Sequence, residues 1–167
     1  MMTLSAEPLI ETMEALVSVH RTLNAHAKEK TRVLKEGDIK GLEALMKKEE
    51  AAAAKLKKLE EARIQRVDEF LAEKGVIGED VTMSQLLKFT APEEERELLE
   101  VQNQLMDEIV QLKQQNALNQ ELIEQSLQFV DMSLDLFQPA KEPANYQHPD
   151  QTKSPGQRGR SLFDSQA

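Results

Sequence analysis

The stretch Leu34-Lys35-Glu36-Gly37-Asp38-Ile39 decides the fold. A glycine after a run of helix formers can take the left-handed conformation that ends a helix. An aspartate directly behind it can accept the first free amides of the next helix. Gly37-Asp38 is therefore the turn of a tight helical hairpin. Upstream, Leu9, Met13, Leu16, His20, Leu23, Ala27 and Leu34 follow four-three spacing with one gap at Lys30, and Ile10 and Val17 widen the seam, which predicts a helix over about 7–36. Downstream, Leu42, Leu45, Met46, Ala52, Ala53, Leu56, Leu59, Val67, Phe70 and Leu71 share one broad face. They predict a second helix over about 38–74, stopped by Lys74-Gly75. The small side chains of Ala51 to Ala54 would let a neighbouring helix approach closely. Glu49 and Arg63 interrupt the stripe and are expected to snorkel or pair at its edge.

Thr82 and Gln85 have the spacing of a capping box ahead of Leu86 and Leu87, predicting a short helix at about 83–89. Thr90 and Glu93 have the same spacing, with Pro92 in the first turn, ahead of a long helix over about 91–137. Leu98, Leu105, Ile109, Leu112, Ile123 and Val130 keep its seam. The expected architecture is all-α: an antiparallel three-helix bundle or coiled coil of long helices over residues 1–137. Beyond Phe137 the composition turns to Pro, Gly and polar residues, which predicts a disordered tail over 138–167.

Composition narrows the function. The 167 residues are 40% hydrophobic but only 4% aromatic, which suits a thin seam between long helices better than a thick core. The formal net charge is −9; the tail (Lys141, Lys153, Arg158 and Arg160 against Glu142, Asp150 and Asp164) nets +1, leaving −10 on the helical body. Nucleic acid and anionic membranes would be repelled, so neither is an expected partner. Cysteine is absent, which removes disulfides, thiolate catalysis and Cys-based zinc sites. No basic leader or bilayer-length apolar run is present, and the chain reads as a soluble, unprocessed cytoplasmic protein. His20 and His26 are six apart and His148 lies in the tail, so no histidine pair has metal-ligand spacing. Glu60-Glu61 and Glu93 to Glu95 read as a solvated face and as helix-dipole partners. With neither a phosphate-binding glycine loop nor a serine elbow, no enzyme, metal or cofactor is expected.

The last helix outruns the second by roughly ten residues, about 15 Å at 1.5 Å per residue, so its end, Gln128 to Phe137, is expected to project. Leu118, Leu122, Ile123, Leu127, Phe129, Val130, Met132, Leu134, Leu136 and Phe137 cover more than one helical face. A three-helix seam needs one face, so the surplus predicts capture of a partner helix. The alternatives are that this stretch folds back onto the bundle or forms a homodimer. Met13 and Met46 sit at seam spacing and read as core filler, whereas Met132 suits an adaptable surface. Asn116 and Asn119 continue the seam and, once buried, would fix its register.

In order and spacing these features resemble a known family. Leu34-Lys35-Glu36-Gly37-Asp38-Ile39 with Leu42, Leu45, Glu49, Leu56, Leu59, Glu60 and Arg63 resembles the hairpin of FlgN-type flagellar export chaperones. Leu112, Asn116, Asn119, Leu122-Ile123, Ser126-Leu127 and Phe129 resemble the family's later asparagine-bearing helix. The closing Gly159-Arg160-Ser161-Leu162-Phe163-Asp164 and Ala167 are similar to members from Bacillus-like bacteria. The resemblance implies a cytosolic chaperone that binds the C-terminal helical segments of the hook-filament junction proteins FlgK and FlgL. It would prevent their premature assembly and deliver them to the export gate without ATP. It also implies that Leu118 to Phe137 grip the client and that Tyr146, the only tyrosine, helps docking to the export-gate protein FlhA. The rival reading is a structural or adaptor coiled coil that oligomerises through the same helix.

Overall fold

A computed structural model of the chain describes residues 5–76 and 82–137. At the hairpin, Gly37 takes φ 69° and ψ 26°, its N–H donating to Leu34 O at 3.3 Å and that of Asp38 to Val33 O at 3.0 Å. This paired pattern satisfies the last carbonyls of α1 (Glu7–Glu36) and is open to glycine because no Cβ collides. Asp38 then accepts from the Gly41 N–H at 2.9 Å and opens α2 (Ile39–Glu73). A Cβ at residue 41 would collide with the Asp38 carboxylate as it is placed, so a larger residue there would oblige the capping side chain to shift. Thr82 and Gln85 form the capping box of α3 (Met83–Leu87), each side chain accepting from the other's backbone. This helix ends two residues earlier than its spacing predicts.

The second expected box does not form. The Thr90 hydroxyl donates to Leu87 O at 2.8 Å, closing α3 instead of opening α4 (Pro92–Phe137). The carbonyls left open at the end of α3 are within its reach first. Ala91 supplies the first carbonyl of α4, accepting from Glu95 N–H at 2.8 Å, and Pro92 stands where no amide is needed. Among the described residues there is no strand.

The chain divides into two compact units at Leu122/Ile123, so α4 contributes to both. The sequence pattern placed its boundary at 137, where the tail begins; 138–167 lie outside the described residues.

Within the first unit, α1 packs antiparallel to α2 and parallel to α4. Lys30 reaches Glu49 on α2 at 2.7 Å, placing late α1 beside early α2. Toward α4 the pairs ascend together. Ser5 and the Ala6 N–H donate to Glu94 at 2.6 and 2.7 Å, Asn24 donates to Glu108 O at 2.9 Å, and Thr31 meets Gln115 and Asn119. The core gathers where α1 starts and α2 ends. Leu9, Ile10, Met13, Leu16 and Val17 of α1 meet Phe70 and Leu71 of α2, Leu86 of α3, and Leu98, Val101 and Leu105 of α4. Asn119 is 2% exposed, its amide donating to Ala27 O at 2.8 Å and its carbonyl facing the Thr31 hydroxyl, which accepts from Gln115. A buried amide satisfied on both sides fixes the α1–α4 register.

Four seam assignments fail. Asn116 is exposed, because it lies about 60° around α4 from Asn119, off the side that meets α1. Met46 and Ala53 are exposed although their period is correct. α2 buries only Leu45, Phe70 and Leu71, and its middle is half-covered by a single neighbour. Val130, placed on the seam of α4, is also exposed. Glu49 and Arg63 behave as edge residues, Arg63 pairing with Glu60 at 3.0 Å.

Candidate protein-binding surface

α4 has 46 helical residues against 35 in α2, and the second unit takes up its last fifteen, from Ile123 to Phe137. Ile123 is half-buried, while Leu127, Phe129, Val130, Met132, Leu134, Leu136 and Phe137 are exposed, Phe129 at 70% and Phe137 at 84%. A water-facing row of this size on one helix exceeds the scattered apolar residues normal on a protein surface. Helicity persists here because Leu, Gln, Met, Glu and Ser are acceptable formers and no Pro or Gly intervenes before Phe137. The Ser133 hydroxyl, which would otherwise compete with the helix, donates back to Phe129 O at 2.9 Å.

Of the residues singled out in the sequence, the structure brings eight together on this segment: Ile123, Leu127, Phe129, Val130, Met132, Leu134, Leu136 and Phe137. Leu118, exposed, and Leu122, half-buried, belong to the first unit. Tyr146 lies outside the described residues. Leu134 is on the same segment and half-exposed, and its spacing, four from Val130 and three from Phe137, marks it as a member.

Two features of the first unit compete for attention. Leu99, Met106 and Val110 form an exposed stripe on α4 about 40° wide, opposite its buried face. Between α1 and α2 lies an open groove of about 350 Å³ lined by Val19, Thr22, His26, Lys48, Ala51 and Ala52. The small side chains of Ala51 and Ala52 form part of its wall. His26 lines it, and its Nδ1 is buried without a partner, as is Nδ1 of His20. Burial pushes the His20 imidazole below its ordinary pKa, opposed by the carboxylates of Glu60 and Glu108. Among the described residues no cluster of three His, Asp or Glu side chains could hold a metal ion. No described helix is long and apolar enough to cross a membrane.

Electrostatically the helical part of the second unit, residues 123–137, is one-signed. Between Lys113 and Lys141 the sequence holds no Lys or Arg, while Glu124, Asp131 and Asp135 lie on the helix of the second unit. The exposed apolar row is therefore bordered by carboxylates alone.

Comparison with known proteins agrees with the helical pattern and places it. The model of the FlgN protein family matches residues 1–154. The chain belongs to the FlgN family. An uncharacterized protein of Bacillus subtilis (strain 168), YvyG, is 30% identical over 164 residues, covering 98% of this chain and 100% of its own length. No solved structure matches the chain. FlgN-family proteins are flagellar export chaperones and not enzymes, so the relevant chemistry is the surface presented to another protein. Among the described residues of this FlgN-family chain, the segment with the most exposed apolar side chains is the end of α4.

Proposed function

We propose that this chain is a cytoplasmic chaperone of type III flagellar export that holds the hook-associated proteins FlgK and FlgL by their C-terminal helical segments. The observation that carries the reading is the exposed apolar segment Leu127 to Phe137 on a FlgN-family scaffold. A client helix that would otherwise polymerise lies along this segment, removing both apolar surfaces from water. Shielding competes with self-assembly by mass action and uses no nucleotide. The held client is then delivered to the export gate, where Tyr146 contacts FlhA.

The test is direct. Phe129→Asp and Leu136→Asp, each made in the full chain, are expected to abolish binding of FlgK and FlgL in calorimetry while circular dichroism keeps the helical signal and melting of the parent. Unchanged affinity in both variants would remove the site. Light scattering checks the rival reading, in which the same segment oligomerises the chain, and a stable homo-oligomer burying Phe129 to Phe137 would favour it.

A further inference from the structure

The arc over which apolar side chains spread on a helix measures how many neighbours that helix expects, and this molecule contains its own yardstick. In the first unit, α1 packs along its length against two long helices, α2 and α4, with Leu86 of the short α3 joining the core near its start. At 3.6 residues per turn its buried residues, from Val33 and Val19 through Leu16, Leu9 and Ala27 to Val17 and Ile10, span an arc of about 220°. One flank carries Val19, Val33 and Lys30 and meets α2; the other carries Asn24 and Thr31 and meets α4.

In the second unit, the apolar residues of α4 span the same arc, about 220°, in two ridges. Ile123, Leu127, Val130, Leu134 and Phe137 form one, at four-three spacing. Phe129, Met132 and Leu136 form the other, and Ser126 and Ser133 run between them as a shallow floor. The remaining side is a rail. Asp131 and Asp135 fall within about 40° of one another, between the outer edges of the two ridges and with no Lys or Arg on the segment.

We infer that the second unit receives two amphipathic helices of a partner, one on each ridge, whose apolar stripes are flanked by Lys and Arg that meet the Asp131 and Asp135 rail. A single helix would cover one ridge and leave the other in water, as neither α2 nor α4 alone accounts for the buried arc of α1. The rail selects the partner's charge. Carboxylates bordering an apolar contact reward cations on the facing helix and penalise like charge. A second copy of this chain would bring rail to rail, and an anionic lipid surface would meet the same repulsion. This inference rests on the chaperone reading for its partner but not for its test.

The probes are synthetic peptides of about three heptads with a leucine stripe. One is flanked by Lys, one is the same repeat joined into a helical hairpin, and the third is the hairpin with Glu for every Lys. Titrated calorimetrically into the full chain, the single Lys peptide is expected to saturate at two per chain and the Lys hairpin at one. The Glu hairpin is expected to bind at least ten-fold more weakly at low salt. Phe129→Asp with Met132→Asp should reduce the single-peptide stoichiometry from two to one, and Leu127→Asp with Leu134→Asp should do the same through the other ridge. Asp131→Asn with Asp135→Asn should weaken the Lys hairpin about three- to ten-fold, a difference that disappears near 0.5 M salt, where screening acts within about 4 Å.

A stoichiometry of one for the single peptide, equal binding of the Glu hairpin, or Lys-peptide binding that survives all four Asp substitutions together would overturn the inference. So would a dimer at micromolar concentration in sedimentation. If the peptides behave as expected and FlgK and FlgL do not bind, the proposed function falls and the two-ridge surface stands. Should the clients bind through one ridge only, the function stands and this inference falls.

Discussion

The helix α1 and the last part of α4 are alike in their apolar arcs and opposite in what covers them. The α1 arc is buried within its own unit, where Thr31 and Ala27 also satisfy the buried Asn119 amide of α4 on both sides. The α4 segment in the second unit shows the same arc to water, with Phe137 at 84% exposure. Hydrophobic pattern alone sets the demand for neighbours, and the length and position of the other helices decide whether the chain meets it. On the proposed reading, the neighbours of the open arc belong to another molecule.

Substitutions can break this contrast, and they should act on stability in the first unit and on binding in the second. The largest effect is expected from Leu98→Ala, at a fully buried core position, which should cost about 2–5 kcal/mol in denaturant melts. Phe129→Ala, removing a larger side chain, should change the melt by less than about 0.5 kcal/mol. Equal losses at the two sites would erase the distinction between filled and open arcs. Next comes Asn119→Ala, which strands the Thr31 and Gln115 groups and should cost about 1–3 kcal/mol. A third substitution, Asp38→Ala, removes the cap that holds the hairpin and should cost about 1 kcal/mol.

The smallest effect is a pH dependence. His20 has its folded pKa lowered by burial, so the unfolded chain binds the proton more readily. Its contribution is intact above the ordinary histidine value of about 6.5 and is lost as pH falls through the window below it. Melts of His20→Leu should lose part of the parent's decline on acidification, whereas a decline of unchanged slope would mean that His20 does not drive it.

Much of the fold was legible because its signals are local. Gly37-Asp38 and Thr82-Gln85 are contacts between residues one to three apart, and the chain has little choice in making them. Thr90-Glu93 shows the limit of that logic. The same spacing was overruled by a carbonyl of Leu87 that became available only because α3 ended two residues early. Periodicity failed in a different way. It identified the face of α2 carrying Met46 and Ala53 but could not report that no helix lies over them. It also recognised one arc of α1 and passed over Val19, Asn24, Thr31 and Val33, because a four-three template counts a single neighbour. Val19 and Val33 are two heptads apart, with His26 between them, and that repeat was the available sign of a second flank. The site was legible because the same counting found more apolar residues on the last helix than one neighbour could use. Its carboxylate rail lies outside what an apolar template counts, because it is marked by the absence of Lys and Arg over 114–140.

That missing basicity has a practical result. Trypsin cuts only after lysine and arginine, so cleavage at Lys113 and Lys141 releases the entire ridge-bearing stretch as one peptide. Four acid side chains, Glu121, Glu124, Asp131 and Asp135, travel on it together. A carbodiimide label applied with and without a partner would therefore report, from the mass of a single fragment, how many of them the partner hides.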